Sequence, residues 1–209
     1  RTVQALAAAR GVQLVALFSP EHGIGADRDG KIASGRDAET GLPIHSLYGA
    51  QRRPAGKMLA GLDAIVVDIQ DVGVRFYTYA TTMGYLMEAA AQRRLKVFIL
   101  DRPNPIGAAG LRGPMLDPDL RSFTGYFPMP LLHAMTIGEL ANMFNREMGT
   151  GADLTVIAMR GYRRDSWFDE TGLPWVNPSP NLRAVNAAVV YPGVALIEGT
   201  NVSVGRGTP

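Results

Sequence analysis

Two apolar runs without polar alternation constrain this chain most: AIVVDI at residues 64–69, interrupted only by Asp68, and KVFIL at residues 96–100, apolar after Lys96, with a helical pattern between them. A strand with one wet face alternates apolar and polar residues. A run without alternation belongs to a strand covered on both faces, as in a parallel sheet. Between the runs, Met83, Leu86, Met87 and Ala90 recur at helical spacing, so residues 77–94 read as a helix. The same alternation extends both ways. RTVQALAAARG reads as a helix ending at Gly11, followed by VQLVALF (12–18) as a strand. Pro54 to Leu62 reads as a short helix. Thr136 and Glu139 form a capping box that opens a helix to about Met148, ahead of a strand at Leu154–Met159. Residues 105–135 and 161–181 read as irregular, residues 184–190 as helical, and Val194–Ile197 as a last strand. The expected fold class is α/β, a parallel sheet with helices on both faces.

Polar residues collect where these strands end. The first empties into Pro20-Glu21-His22-Gly23, the second into Asp68-Ile69-Gln70-Asp71 and on to Arg75, the third into Asp101-Arg102-Pro103-Asn104, and the last into Glu198-Gly199-Thr200-Asn201. Parallel strands put all their carboxyl ends on one edge, where ligands of open α/β sheets bind. The clusters should therefore converge. Each also has a plainer reading. Asp68 suits a helix cap or a pair with Arg75, the Asp-Arg-Pro-Asn-Pro string suits a turn, and Glu21 suits a turn acceptor. Tyr77 and Tyr79 suit packing, and His45 and His133 lack partners at ligand spacing and read as core or surface.

Composition removes several functions. Lys and Arg number 21 against 19 Asp and Glu, and the arginine pairs 52–53, 93–94 and 163–164 are scattered rather than clustered as phosphate-backbone binding requires. No apolar run approaches the ~18 residues of a membrane span. With no cysteine and three dispersed histidines, disulfides and thiolate metal sites are excluded and zinc is disfavoured. Nucleophile-elbow, phosphate-loop and dinucleotide-fingerprint motifs are absent. Gly23-Ile24-Gly25 fails at the last glycine, and Asp27-Arg28-Asp29-Gly30 begins like a calcium loop but lacks its later ligands. No cofactor and no metal is expected. What remains is carboxylates, the amides Gln70, Asn104, Asn181 and Asn201, and the aromatics Tyr77, Tyr79, Trp167 and Trp175. That set suits a sugar, whose hydroxyls want polar partners and whose C–H faces stack on rings. Glycoside cleavage needs a protonated carboxyl for the leaving oxygen and often a second carboxylate opposite it.

The strings PEHG (20–23), DIQDVGVRFYTY (68–79), DRPNP (101–105), NPSPN (177–181) and EGTNVSVGRGT (198–208) together resemble the exo-β-N-acetylmuramidases, a glycoside hydrolase family once filed as a domain of unknown function. The likeness spans essentially the whole chain. It implies a Rossmann-like N-terminal domain, a smaller C-terminal domain, a pocket at their junction, and release of N-acetylmuramic acid from the non-reducing end of peptidoglycan fragments. The catalytic acid proposed for the family falls on Glu21. The resemblance further implies that Glu198, the candidate second carboxylate, and Asn201 line the pocket with His22 and Asp71. It makes Arg75 a partner for the lactyl carboxylate, and Asn104, Asn181 and Arg206 further sugar contacts. Were Asp68 or Asp71 to face the 2-acetamido group, catalysis would be substrate-assisted.

The family also begins with a strand ahead of the opening helix and continues beyond the GRGT string. By that measure residues 1–190 are a Rossmann-like catalytic domain without its first strand, and residues 191–209 open a truncated second domain. The partner expected is a muramic-acid-containing saccharide, with no nucleic acid and no membrane span, in the periplasm or secreted. Two other readings stay open: a non-catalytic peptidoglycan-binding module, and a phosphate-handling α/β enzyme holding Mg²⁺ on Asp68, Asp71 and Asp101.

Overall fold

The computed structural model describes residues 1–205. In chain order its strands are β1 Leu17–Ser19, β2 Gly35–Arg36, β3 Pro43–Ser46, β4 Ala64–Val67, β5 Lys96–Leu100, β6 Arg112–Met115, β7 Pro130–Leu132 and β8 Asp153–Ile157. Its helices are α1 Thr2–Ala8, α2 Tyr79–Ala91, α3 Ile137–Glu147 and α4 Val185–Val194.

The expected parallel sheet is present in two pieces. One has the order β4-β5-β8, all parallel, with Ile65 beside Val97 and Val97 beside Leu154. In the other, β1 lies parallel to β3, and β2 closes the edge antiparallel. β6 and β7 form a separate antiparallel pair within the stretch read as irregular. The core lies between β4, β5 and the helices α2 and α3. Ile65, Val67, Val97 and Ile99 meet Met83 and Met87 of α2 and Leu140 and Phe144 of α3. The opposite face is more open, with Val66 39% and Ile157 48% exposed. Thr136 caps α3 as its sequence requires: its side chain accepts from the Glu139 N–H, and Glu139 returns a bond to the Thr136 N–H.

Three expected elements differ. The strand over 12–18 shrinks to β1, because β3 pairs only with Leu17–Ser19; Val12 and Val15 lie exposed. The helix over 54–62 is a single 3₁₀ turn at Gly56–Met58. The strand at 194–197 does not form. α4 runs through to Val194, across the expected division at residue 190, and continues as a 3₁₀ turn, Ala195–Gly199. An apolar run becomes a strand only where another strand lies alongside, and among the described residues none does here.

Candidate active site

Glu21 leaves β1 through Pro20 and reaches the N-terminal end of α2. Thr78 is the N-cap residue of α2, yet its side chain makes no capping bond. Instead its hydroxyl donates to Glu21 Oε2 at 2.6 Å, across 57 residues of sequence. The Tyr79 hydroxyl donates to the backbone oxygen of Pro178 at 2.9 Å and also reaches the Glu21 carbonyl at 3.2 Å. The Tyr77 hydroxyl donates to the same Pro178 oxygen at 2.6 Å, with the two rings 4.7 Å apart. The NPSPN loop is thereby clamped against the PEHG loop. Burial drives the Tyr77 phenol well above its ordinary pKa, and it pushes Tyr79 up to about 12, so both stay neutral donors near pH 7.

His22 is nine-tenths buried and adopts φ +69°, left-handed backbone unusual outside glycine. Its Nδ1 lies 2.9 Å from the Arg28 carbonyl and 3.3 Å from Asp29 Oδ1. A carbonyl only accepts, so Nδ1 carries the ring hydrogen. The other Asp29 oxygen, Oδ2, accepts from Asn181 Nδ2 at 3.0 Å. Glu21, His22 and Asn181 are thus drawn together, and Asp29 and Thr78 join them.

Asp71 is buried one step further in. Oδ2 accepts from the Gly73 N–H at 2.7 Å and faces His133 Nε2 at 3.2 Å. His133 Nδ1 accepts from the Met135 N–H, which leaves the ring hydrogen on Nε2, close to the carboxylate but not aligned for a hydrogen bond. His133 is fully buried, in keeping with its core reading, but it is not partnerless.

Other expected contacts are turned to structural ends. Asn104 is 2% exposed; its amide donates to the Met135 carbonyl and its oxygen accepts from the Ile106 N–H, so it organises its own turn. Arg75 Nη1 donates to the carbonyls of Pro114 (2.8 Å) and Met129 (2.6 Å), tying down the β6–β7 pair, and burial lowers the guanidinium pKa. Asp68 pairs with Arg102, at 2.5–2.6 Å, rather than with Arg75. Asp101 caps α3, accepting from the Gly138 N–H at 2.8 Å and from the Thr136 hydroxyl at 3.0 Å. Among the described residues no three His, Asp or Glu side chains gather as a metal site, and no helix is long and apolar enough to cross a membrane. Glu198 and Asn201 are exposed, on and just after the final 3₁₀ turn, and Arg206 lies outside the described residues. Two surface hollows of about 490 and 470 Å³ flank α2 at Glu88–Gln92 and at Gly49–Arg53 with Tyr85, away from Glu21.

Sequence reasoning passed over Thr78, which stands inside the DIQDVGVRFYTY string, and Asp29, which it weighed only as part of a failed calcium loop. Neither has a local signal, because each acts on a residue whose proximity the fold creates.

Residues 1–186 match the family described as exo-beta-N-acetylmuramidase NamZ, N-terminal. The chain belongs to this family. Within it, the peptidoglycan beta-N-acetylmuramidase NamZ of Bacillus subtilis (strain 168) is 50% identical over 199 residues, which is 94% of this chain and 48% of that protein. Two crystal structures of DUF1343 family proteins from Bacteroides fragilis NCTC 9343 share the fold. One has a TM-score of 0.91 at 40% identity over 100% of this chain and 54% of its own. The other has 0.81 at 42% identity over 94% and 52%. The chain thus spans about half the length of each of these relatives.

Proposed function

We propose that the protein is a glycoside hydrolase that releases N-acetylmuramic acid from the non-reducing end of peptidoglycan fragments, with Glu21 as the general acid. The observation that carries this reading is the setting of Glu21. It is a half-buried carboxyl at the carboxyl end of a parallel strand, with Oε2 fixed by Thr78 and the loop around it clamped by two neutral tyrosines. With Oε2 engaged, Oε1 is the oxygen left to present a proton to the leaving group. Membership of the NamZ family and the name of the Bacillus subtilis relative support the substrate class. Asn181, joined to His22 through Asp29, borders the sugar, while Arg75 holds the β6–β7 pair.

The deciding comparison is the full-length gene product, wild type against Glu21→Gln, on a chromogenic β-N-acetylmuraminide. Turnover should fall at least about 100-fold while saccharide binding persists, because the amide keeps the shape and loses the proton. A wild type inert on this substrate, or a Glu21→Gln enzyme that turns over normally, would refute the assignment.

A further inference from the structure

Hydrolysis of a glycoside moves two protons. One goes to the leaving oxygen and one comes off the attacking water. Glu21 accounts for the first. The carboxylate expected for the second, Glu198, lies exposed on the final 3₁₀ turn.

His22 has the features the second task requires. Its Nδ1–H is committed to the Arg28 carbonyl, with the Asp29 carboxylate 3.3 Å away. Nε2 therefore holds the lone pair, and among the described residues nothing hydrogen-bonds it. The side chain is nine-tenths buried, yet Nε2 itself is not sealed from solvent, so a water can reach its lone pair. The backbone is held at φ +69°, and strain of that kind persists where the surroundings enforce it, often at functional sites. Asp29 is fixed in turn by Asn181 of the loop that the two tyrosines clamp around Glu21. A base oriented by a carboxylate through its other nitrogen is a recurring arrangement in proton transfer.

We infer that His22, oriented by Asp29, takes the proton of the water that attacks the anomeric carbon; this rests on the reading of Glu21 as the acid. The water oxygen bonds to the anomeric carbon as the glycosidic C–O bond breaks. One water proton passes to His22 Nε2, and the Glu21 proton passes to the departing oxygen. The imidazolium faces Asp29 until it returns its proton to solvent, and Glu21 is reprotonated from solvent. The new hydroxyl enters opposite the leaving group, so a β-glycoside gives the α-anomer first.

The test uses the full-length protein with His22→Gly, shown by a cooperative melt to be folded, because glycine adopts φ +69° without strain and the space left by the ring admits imidazole. Expected is a loss of kcat of about 100-fold or more with KM little changed, and recovery of turnover on adding imidazole. Asp29→Asn, a positioning change, should lower kcat about tenfold or more at unchanged KM. Proton NMR of the wild-type reaction should show the α-anomer first. Near-normal turnover by His22→Gly, absence of imidazole rescue in the folded variant, or β-anomer as first product overturns the inference. Normal turnover by Glu21→Gln instead brings down the underlying reading.

Discussion

At the scale of single residues, the site is a set of side chains diverted from local duties. Thr78 sits at a helix N-cap, where threonine ordinarily satisfies its own helix, and spends its hydroxyl on Glu21 instead. Thr78→Val should therefore lower kcat about tenfold with little change in KM, and Thr78→Ser should restore it, because the hydroxyl rather than the methyl does the orienting. Steady-state kinetics on the two variants decides this. Glu21 and His22 stand out in sequence because they form a compact polar string at the end of an apolar run, whereas Asn181 stands out only through the NPSPN string that carries the family resemblance. Asn104 stands in just such a string, and the structure buries it as a turn organiser. A short polar string shows where chemistry is able to sit and does not show which way a side chain turns.

At the scale of elements, α3 is where sequence and structure agree best. The Thr136–Glu139 box starts it, and Asp101 from the end of β5 reinforces the start from outside. Asp101→Ala should cost about 1–3 kcal/mol in urea unfolding, since the Gly138 N–H loses a charged acceptor. β5 was legible residue for residue because it is flanked on both sides, by β4 and β8, so all of its apolar run is used. β1 was over-read and the strand at 194–197 was wrongly read for the converse reason. Their apolar runs lack neighbours of matching length, and the backbone then takes extended loop or helical turn.

At the scale of the whole molecule, one half of the fold buries aliphatic side chains between sheet and helices, while the other buries Tyr77 and Tyr79 against Val72, Val74 and Leu182. The buried phenols set an alkaline limit to stability. Tyr79 has its folded pKa at about 12 against an ordinary value of 10.0, so above pH 10 the unfolded chain ionises while the native state does not. Stability should be full below pH 10 and fall by up to about 2–3 kcal/mol as pH approaches 12. Thermal melting across that range, with Tyr79→Phe losing part of the dependence, checks it.

The sequence alone determined the α/β class, the order of most elements, and the string that carries Glu21 and His22, because hydrophobic period and turn chemistry act over a few residues. Tertiary structure alone decided that Thr78 holds Glu21, that Asp29 joins His22 to Asn181, that Asp71 meets His133, and that Asp68 and Asp101 serve the scaffold. Those contacts span 34 to 152 residues, apart from the near-neighbour pairing of His22 with Asp29, and no local pattern encodes a distance that exists only once the sheet has formed.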